Sequence, residues 1–280
     1  STPEATPEHT HKRLLIMVIS GRHGIEKRNN IRKAKLMDGV PDDTTIKFVI
    51  GSRPCRVPKK LRSTPYTCIG GKQTEEFNSE IDKMEKQVEQ EKQKYGDILE
   101  VDMIDYYRAL PKKVRLAVTW SQSNGNNYEW IYKVDDDCFF NWRNIRNDIL
   151  LSGKHDADDH PVAIGMVRKN GGVPKSGKWA ELNFKKKKYP SFVNGQPGYC
   201  INRSFAKYIK KHVHDLFDYQ GEDVSMGIWA DEHFEQGVEF IDGMSKLGMG
   251  IAKCKETSWS CGHDFKLEHQ MKASKYIIKR

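Results

Sequence analysis

The sequence predicts an α/β fold built on one sheet, and three observations support this prediction. Apolar runs alternate with charged, amphipathic stretches through the first half of the chain, which is typical of strands that alternate with helices. The run at residues 14–19 is entirely apolar, as expected for a strand buried on both faces of a parallel sheet. Asp135, Asp136 and Asp137 follow another apolar run, and α/β folds bind ligands at the carboxyl ends of their strands.

The remaining elements of the first half follow in order. We expect strands at residues 14–19, 45–50, 97–101 and 128–134. We expect helices at residues 25–37, 74–95, from 111 onwards, and 141–151. The helix at 74–95 has apolar residues at helical spacing, and Pro111 is a typical first residue of the next helix.

The second half is less regular. After residues 161–165, glycine, lysine and aromatic residues dominate as far as about Tyr199, and helices resume near Arg203 and Glu222. We find no internal repeat and no interdomain linker. The economical interpretation is one domain over residues 13–280, preceded by a Ser/Thr/Pro-biased stem or linker at residues 1–12.

Composition narrows the class of protein. Hydrophobic residues make up 37% and charged residues 30% of the chain, which is ordinary for a globular protein. The net charge of +9 favours anionic partners, but the run at residues 185–188 is isolated and no nucleic-acid motif surrounds it, so we expect no nucleic-acid partner. The longest apolar run is too short to span a membrane, and any anchor is expected upstream of Ser1.

The six cysteines fit no C-x-x-C metal pattern. Cys55 with Cys68, and Cys254 with Cys261, lie in polar, turn-rich segments and are the expected local disulfides, whereas Cys138 lies among apolar residues and is expected as a buried thiol. A glycosylation triplet begins at Asn202, although such triplets are frequent by chance.

The three aspartates are the strongest chemical signal. Three carboxylates at the end of a buried strand repel one another, and a cation is the usual means of neutralising them. Carboxylate oxygens suit Mg²⁺, Mn²⁺ or Ca²⁺. In an extended segment Asp135 and Asp137 would share one side and Asp136 the other. The alternative is a solvated acidic turn, which the flanking apolar residues disfavour.

Several blocks together resemble the Golgi β1,3-glycosyltransferase family, which includes galactosyl-, N-acetylgalactosaminyl- and N-acetylglucosaminyltransferases and the Fringe enzymes. The blocks occur in family order between residues 28 and 269: R-N-N-I-R from Arg28, Y-G-D-I-L from Tyr95, the block from Asp102 to Lys113, K-V-D-D-D from Lys133, Y-P with Gly195, Gly198 and Tyr199, E-D-V from Glu222, and H-Q from His269. Single blocks are weak evidence, but their order and spacing are specific. The departures are Lys35 for tryptophan, Ala109 and Pro111 for Asn and Thr, and Val193 for cysteine.

The resemblance implies a GT-A type fold, with a single Rossmann-like mixed sheet flanked by helices. It also implies a UDP-sugar donor, Mn²⁺ rather than Mg²⁺, inversion at the anomeric carbon, a glycan, glycoprotein or glycolipid acceptor, and a type II membrane protein of the Golgi lumen. The segments around Trp179 and Glu222 look closest to the galactosyl and N-acetylgalactosaminyl branches. An N-acetylglucosaminyl donor is the alternative within the family, and a catalytically silent carbohydrate- or nucleotide-binding protein is the alternative outside enzymes.

Residue roles carried over from the family are as follows. Asp223 is the expected catalytic base, with Glu222 as its neighbouring alternative or an acceptor contact; Asp223 also suits the first turn of a helix. Asp137, assisted by Asp135, is the expected metal ligand together with His269, and His263 competes with His269 for that place. The expected donor contacts are Asp135, Asp136, Arg28, Arg32, Asp102 and Lys113. The expected acceptor contacts are Glu222, Gly195 and Trp179, although a basic solvated face for the arginines and a core position for Trp179 are the alternatives.

Overall fold

The computed structural model describes residues 14–71, 74–123, 125–235 and 237–278. The strands are β1 Leu14–Ile19, β2 Thr44–Pro54, β3 Ile98–Asp105, β4 Trp130–Asp135, β5 Phe139–Phe140, β6 Val162–Gly165, β7 Val167–Arg168, β8 Phe192–Val193, β9 Tyr199–Asn202, β10 Glu239–Asp242, β11 Leu247–Gly248 and β12 Ser260–Cys261. The helices are α1 Ile25–Lys33, α2 Glu75–Tyr95, α3 Leu110–Ser121, α4 Trp142–Ile145, α5 Arg203–Lys211, α6 Glu222–His233 and α7 Leu267–Ile278. The expected stem at residues 1–12 lies outside the described residues.

A seven-stranded mixed sheet forms the centre of the molecule. Its strand order is β10-β6-β9-β4-β1-β2-β3. Strands β1 to β4 are parallel, whereas β9 is antiparallel to both of its neighbours, β4 and β6. The predicted α/β class, with a mixed central sheet flanked by helices, is confirmed, but the sheet is not single: β11, β12 and β5 form a second sheet, and β7 and β8 form a third. The carboxyl ends of β1, β2, β3 and β4 share one edge of this sheet.

The two faces of the sheet carry separate cores. Leu14, Ile16 and Val18 of β1 pack into one apolar cluster, and the alternate residues Leu15 and Met17 pack into the other. All six residues of β1 are buried, as the apolar run predicted. Helices therefore cover both faces, and the polar groups of the site are left to the edge. Among the described helices, none is long and apolar enough to cross a membrane.

Several boundaries differ from the predicted ones. The first helix ends at Lys33 instead of residue 37, because Lys35 adopts a left-handed backbone conformation with φ 58°. β2 continues to Pro54, with a register shift between Gly51 and Arg53 against β3. The helix predicted at 141–151 is a single α-turn that continues as a π-helix at Arg146–Leu151.

The cysteine predictions are confirmed. Disulfides join Cys55 to Cys68 and Cys254 to Cys261, and Cys138 is a buried thiol, as is Cys200. Asn202 of the glycosylation triplet is fully buried. Its side-chain oxygen accepts hydrogen bonds from the backbone N–H groups of Val162 and Phe205, so it caps α5 and is closed to modification in the folded chain.

Candidate active site

The polar edge of the sheet is formed where β1 and β4 end side by side. Ile19 lies opposite Asp135 in the parallel register, and the backbone N–H of Asp136 donates to the carbonyl of Ile19 at 3.0 Å. β4 ends at Asp135, so Asp136 and Asp137 lie in a turn. The expected alternation of the three side chains is therefore wrong, because extended geometry stops one residue too early.

Asp136 and Asp137 share one lysine. Lys27 Nζ lies 3.2 Å from Asp136 Oδ1 and 3.2 Å from Asp137 Oδ2. Ser20 Oγ donates to Asp136 Oδ2 at 2.7 Å. Burial raises the pKa of Asp136 above its usual range, against the opposing effect of the Lys27 charge. Partial burial would lower the pKa of Lys27, but Asp136 and Asp137 outweigh it and raise this pKa. We call Lys27, Asp136 and Asp137 the open lysine cluster, because the Lys27 side chain is 46% exposed.

A possible metal site lies at Asp137. Single ligand atoms of Asp137, His263 and Asp264 all lie within 4.8 Å of one another, and Asp137 Oδ1 is 3.9 Å from His263 Nδ1. One imidazole nitrogen with two carboxylate oxygens suits Mn²⁺ better than Mg²⁺, so the residues present fit the expected cation.

The histidine at this group is His263 and not His269. The Nδ1 atom of His269 accepts a hydrogen bond from the Lys266 backbone N–H at 3.2 Å, and its ring lies 5.3 Å from the Phe265 ring. His269 thus serves the start of α7. Among the described residues, the histidine grouped with Asp137 is therefore the alternative one, His263.

Asp223 lies in the first turn of α6, where the helix begins after Gly221. Its Oδ2 atom accepts a hydrogen bond from the Gly195 N–H at 2.9 Å, and its Oδ1 atom accepts one from the Val224 N–H at 2.8 Å. The helix N-terminus, with its partial positive charge, is a favourable position for an acidic side chain. Asp223 therefore has the predicted position in the first turn of a helix, and this position is compatible with the predicted role as catalytic base.

Glu222 and Asp135 share a second lysine, Lys133. The Lys133 side chain is 1% exposed, and its Nζ atom lies 2.8 Å from Asp135 Oδ1 and 2.7 Å from Glu222 Oε1. It also donates to the Gly195 carbonyl at 3.0 Å. Burial alone would lower the pKa of Lys133, but Asp135 and Glu222 reverse this and raise it. Burial raises the pKa of Glu222 to about 6, while Lys133 opposes the rise. We call Lys133, Asp135 and Glu222 the closed lysine cluster.

Sequence reasoning matched Lys133 to a motif but gave it no role. A signal was present, because a lysine within a strand buried on both faces needs carboxylate partners. It also follows that Glu222, which is 5% exposed and held by Lys133, is badly placed for the predicted acceptor contact. Gly195 is placed beside both carboxylates: a Cβ there would lie 2.5 Å from Glu222 Oε1 and 3.4 Å from Asp223 Oδ2.

The predicted donor contacts Arg28 and Arg32 face into the molecule. Arg28 is fully buried and binds Glu91 of α2 at 2.6 Å, and Arg32 pairs with Glu91 and Asp97. The solvated alternative is therefore also wrong for them. Arg28 does reach the edge indirectly, because its Nη1 atom donates to Ser20 Oγ at 3.0 Å, the hydroxyl that binds Asp136.

The remaining predicted donor contacts are divided. The Asp102 side chain is 90% exposed and pairs with Arg53, because alternation along β3 directs it outward. Lys113 is buried at the edge, where its Nζ atom lies 2.7 Å from Asp105 Oδ1 and 2.6 Å from the Ser20 carbonyl. Asp105, which also accepts the Gly51 N–H, takes the place at the edge that Asp102 was expected to fill.

Trp179 is 61% exposed, which excludes the core alternative. Lys178 Nζ lies 4.6 Å from the centre of the Tyr107 ring and 5.4 Å from that of Trp179. The loop is fixed to the start of α6, because the buried Glu181 accepts the Gln220 N–H at 2.6 Å. The exposed indole is available for stacking.

Comparison with known proteins gives the same family as the motifs. A sequence model described as galactosyltransferase matches residues 71–235, which is more than half of the chain. The human UDP-GalNAc:β-1,3-N-acetylgalactosaminyltransferase 2 is 34% identical over 180 residues, covering 63% of this chain and 35% of that protein. The β-1,3-galactosyltransferase GALT1 of Arabidopsis thaliana is 29% identical over 152 residues, covering 52% of this chain and 23% of that protein.

The chain thus spans about a third or less of the length of these relatives. Among solved structures, the galactosyltransferase LgtC in complex with donor and acceptor sugar analogues has a TM-score of 0.39 and 9% identity, with 94% of this chain and 96% of that chain covered. The family model, matched over more than half of the residues, shows that the chain belongs to the galactosyltransferase family.

Proposed function

We propose that this chain is the catalytic part of an inverting, metal-dependent β1,3-glycosyltransferase. It transfers galactose or N-acetylgalactosamine from a UDP-sugar to a hydroxyl group of a glycan acceptor. The observation that carries the proposal is the common sheet edge, where the Asp137–His263–Asp264 group and the Asp135–Lys133–Glu222–Asp223 chain of contacts begin at neighbouring aspartates.

The donor side of the proposal uses the polar groups at the ends of β1, β3 and β4. Asp137, His263 and Asp264 would hold Mn²⁺, and the bound cation would supply positive charge to the diphosphate of the leaving UDP. Lys27 is the half-exposed cation beside this group and adds positive charge where the leaving group becomes anionic. Asp136 and the Lys113–Asp105 pair line the same edge and orient the rest of the donor.

The acceptor side of the proposal uses Asp223 as the base. Its Oδ2 atom takes the proton of the acceptor hydroxyl while that oxygen attacks the anomeric carbon from the face opposite UDP. The bond to the UDP oxygen breaks as the new glycosidic bond forms, so the configuration inverts. The hydrogen bond from the Gly195 N–H and the position in the first turn of α6 hold the carboxylate in place. Trp179 offers an aromatic face to the acceptor sugar.

The compartment proposed is the lumen of the secretory pathway, with a membrane anchor upstream of the chain. The two disulfides support an oxidising environment, because cytosolic thiols are kept reduced. The acceptor is proposed as a glycan on a protein or lipid, and the galactosyltransferase family supports a sugar donor.

The test is a donor screen with two site variants. UDP-Gal, UDP-GalNAc and UDP-GlcNAc are assayed for hydrolysis and transfer with Mn²⁺, and we expect one of the first two to be used best. Asp137→Ala should abolish the Mn²⁺-dependent binding of UDP. Asp223→Asn should keep UDP binding but lower transfer by roughly 10²–10⁴-fold, the typical contribution of a general base.

Asp231→Asn is the matched control. Asp231 lies on the same helix as Asp223, pairs with Lys186 at the surface, and is 40% exposed, so transfer should change less than about twofold. Full turnover by Asp223→Asn would remove the base assignment. UDP binding that persists in chelator would contradict the role of the metal.

A further inference from the structure

Lys133 connects the two halves of the proposed site. We propose that Lys133 is a positioning residue that holds the base Asp223 at a fixed place relative to the aspartate motif. This inference rests on the proposed function for its kinetic consequence, but its structural part concerns contacts that are measurable without turnover.

Lys133 has three close polar partners. Its Nζ atom lies 2.8 Å from Asp135 Oδ1 and 2.7 Å from Glu222 Oε1, and it donates a hydrogen bond to the Gly195 carbonyl oxygen at 3.0 Å. Because this ammonium group is buried, separating it from its carboxylates would leave charges uncompensated, so the contacts hold it in place.

These partners come from three separate segments. Asp135 ends β4, Glu222 begins α6, and Gly195 lies in the loop between β8 and β9. Lys133 belongs to β4, which lies between β1 and β9, so the backbone of Lys133 is held in the middle of the sheet. The lysine therefore ties the loop and the start of α6 to the central strand of the sheet.

The connection to Asp223 has two routes. Along the chain, Asp223 follows Glu222 directly. Through space, Gly195 accepts from Lys133 with its carbonyl and donates its N–H to Asp223 Oδ2 at 2.9 Å. If Lys133 is replaced by an uncharged residue, Asp135 and Glu222 repel each other. Glu222 and Gly195 are then held less firmly, and so is Asp223, which is bound to both.

A purely structural role would also make Lys133 important, so the test must separate stability from position. Lys133→Met leaves the buried Glu222 and the partly buried Asp135 without their cation and should lower the folding equilibrium constant by at least about 100-fold. Lys133→Met combined with Glu222→Gln removes one charge of each sign and should regain at least tenfold of that loss. Urea unfolding measures both values.

In the stabilised double variant, two further measurements report position. The Gly195 N–H, which binds Asp223, should exchange with solvent at least about tenfold faster than in the wild type, as seen by NMR or mass spectrometry. The kcat of transfer should fall at least about tenfold, while the KM for the UDP-sugar should change less than about threefold, because the metal group is untouched.

Arg115→Met combined with Asp218→Asn is the matched control. That pair lies at 2.7 Å, with side chains 11% and 26% exposed, and joins α3 to the segment before α6. Its loss should lower stability but leave the Gly195 exchange and kcat within about twofold of the wild type.

The outcomes separate the two proposals. A double variant with wild-type Gly195 exchange and wild-type kcat would show that Lys133 only stabilises the fold, and would overturn the inference. If the wild type transfers no sugar, the proposed function fails, while faster Gly195 exchange in the double variant still supports the link from Lys133 to Asp223. Slow exchange in that case rejects both.

Discussion

The open and closed lysine clusters use the same chemistry in two different environments. In each, one lysine pairs with two carboxylates, and the two clusters divide the three aspartates between them. Lys27 in the open cluster is 46% exposed and makes contacts of 3.2 Å, whereas Lys133 in the closed cluster is 1% exposed and makes contacts of 2.7–2.8 Å.

This difference in burial suggests that the open cluster is suited to bind a ligand and the closed cluster to hold parts of the fold together. An exposed ammonium is screened by water and moves at little cost, so Lys27 is suited to exchange partners when a diphosphate binds. A buried ammonium cannot leave its carboxylates without leaving them uncompensated, so Lys133 is suited to hold segments together. The aspartate motif divides between these tasks, with Asp136 and Asp137 at the open cluster and Asp135 at the closed one.

The largest effect is expected on Mn²⁺ binding beside the open cluster. His263→Ala should weaken the binding of Mn²⁺ by at least about 100-fold, because it removes the only nitrogen ligand from the group formed by Asp137, His263 and Asp264. His269→Ala is the control and should bind Mn²⁺ as the wild type does. Titration calorimetry with Mn²⁺ and UDP measures both. If both variants lost Mn²⁺ affinity equally, the assignment of His263 rather than His269 as the metal ligand would be contradicted.

The next effect breaks the closed cluster by steric means. Gly195→Ala would place a methyl group 2.5 Å from Glu222 Oε1, so the cluster must shift, at a cost of about 1–3 kcal/mol in the free energy of unfolding. Gly172→Ala is the control, because a Cβ there meets nothing within 4 Å. Denaturant unfolding compares the two. A Gly195→Ala protein as stable as Gly172→Ala would mean that the closed cluster is not tightly packed.

The smallest effect is a difference in pH dependence between the clusters. The pKa of Glu222 in the folded chain is raised from 4.5 to about 6, so its contribution to stability is complete below the unfolded value and is lost as pH rises through the folded one. Stability should therefore fall between about pH 4.5 and pH 6 from this group, and Glu222→Gln should remove that slope.

Within the open cluster, the raised pKa of Asp136 gives a pH dependence of the same sign as that of Glu222, but Lys27 should add no slope in this range. The pKa of Lys27 is raised from 10.5, so its contribution is lost only at pH values above 10.5. Urea midpoints measured from pH 4 to pH 7 test both expectations. A slope that persists unchanged in Glu222→Gln would assign it to another carboxylate.

The parallel half of the fold was predictable because the apolar or polar character of each segment matches its burial in the structure. β1 is apolar throughout and is buried on both faces, and the aspartates end a strand as expected. The mixed character of the sheet followed from the family resemblance, because β9 is only four residues long and lies in a segment without clear periodicity.

The site was less predictable because small changes in register decide it. Asp102 and Asp105 lie three residues apart on β3, and the bulge at Gly51 and the alternation of the strand send one outward and the other to the edge. His263 lies in a turn in which both of its neighbours, Gly262 and Asp264, have positive φ. No periodicity in the sequence reports such a turn.

β9 has a consequence for the synthesis of the chain. β6 and β10 join the sheet only through β9, and the loop carrying Gly195 lies just before β9. A nascent chain released only as far as β6 has β4 as an unpaired strand edge and lacks the loop that binds Lys133. β9, which pairs with β4, therefore emerges together with the loop that contacts Lys133 and Asp223. A folding intermediate in which β4 is unpaired also lacks these contacts of the proposed site.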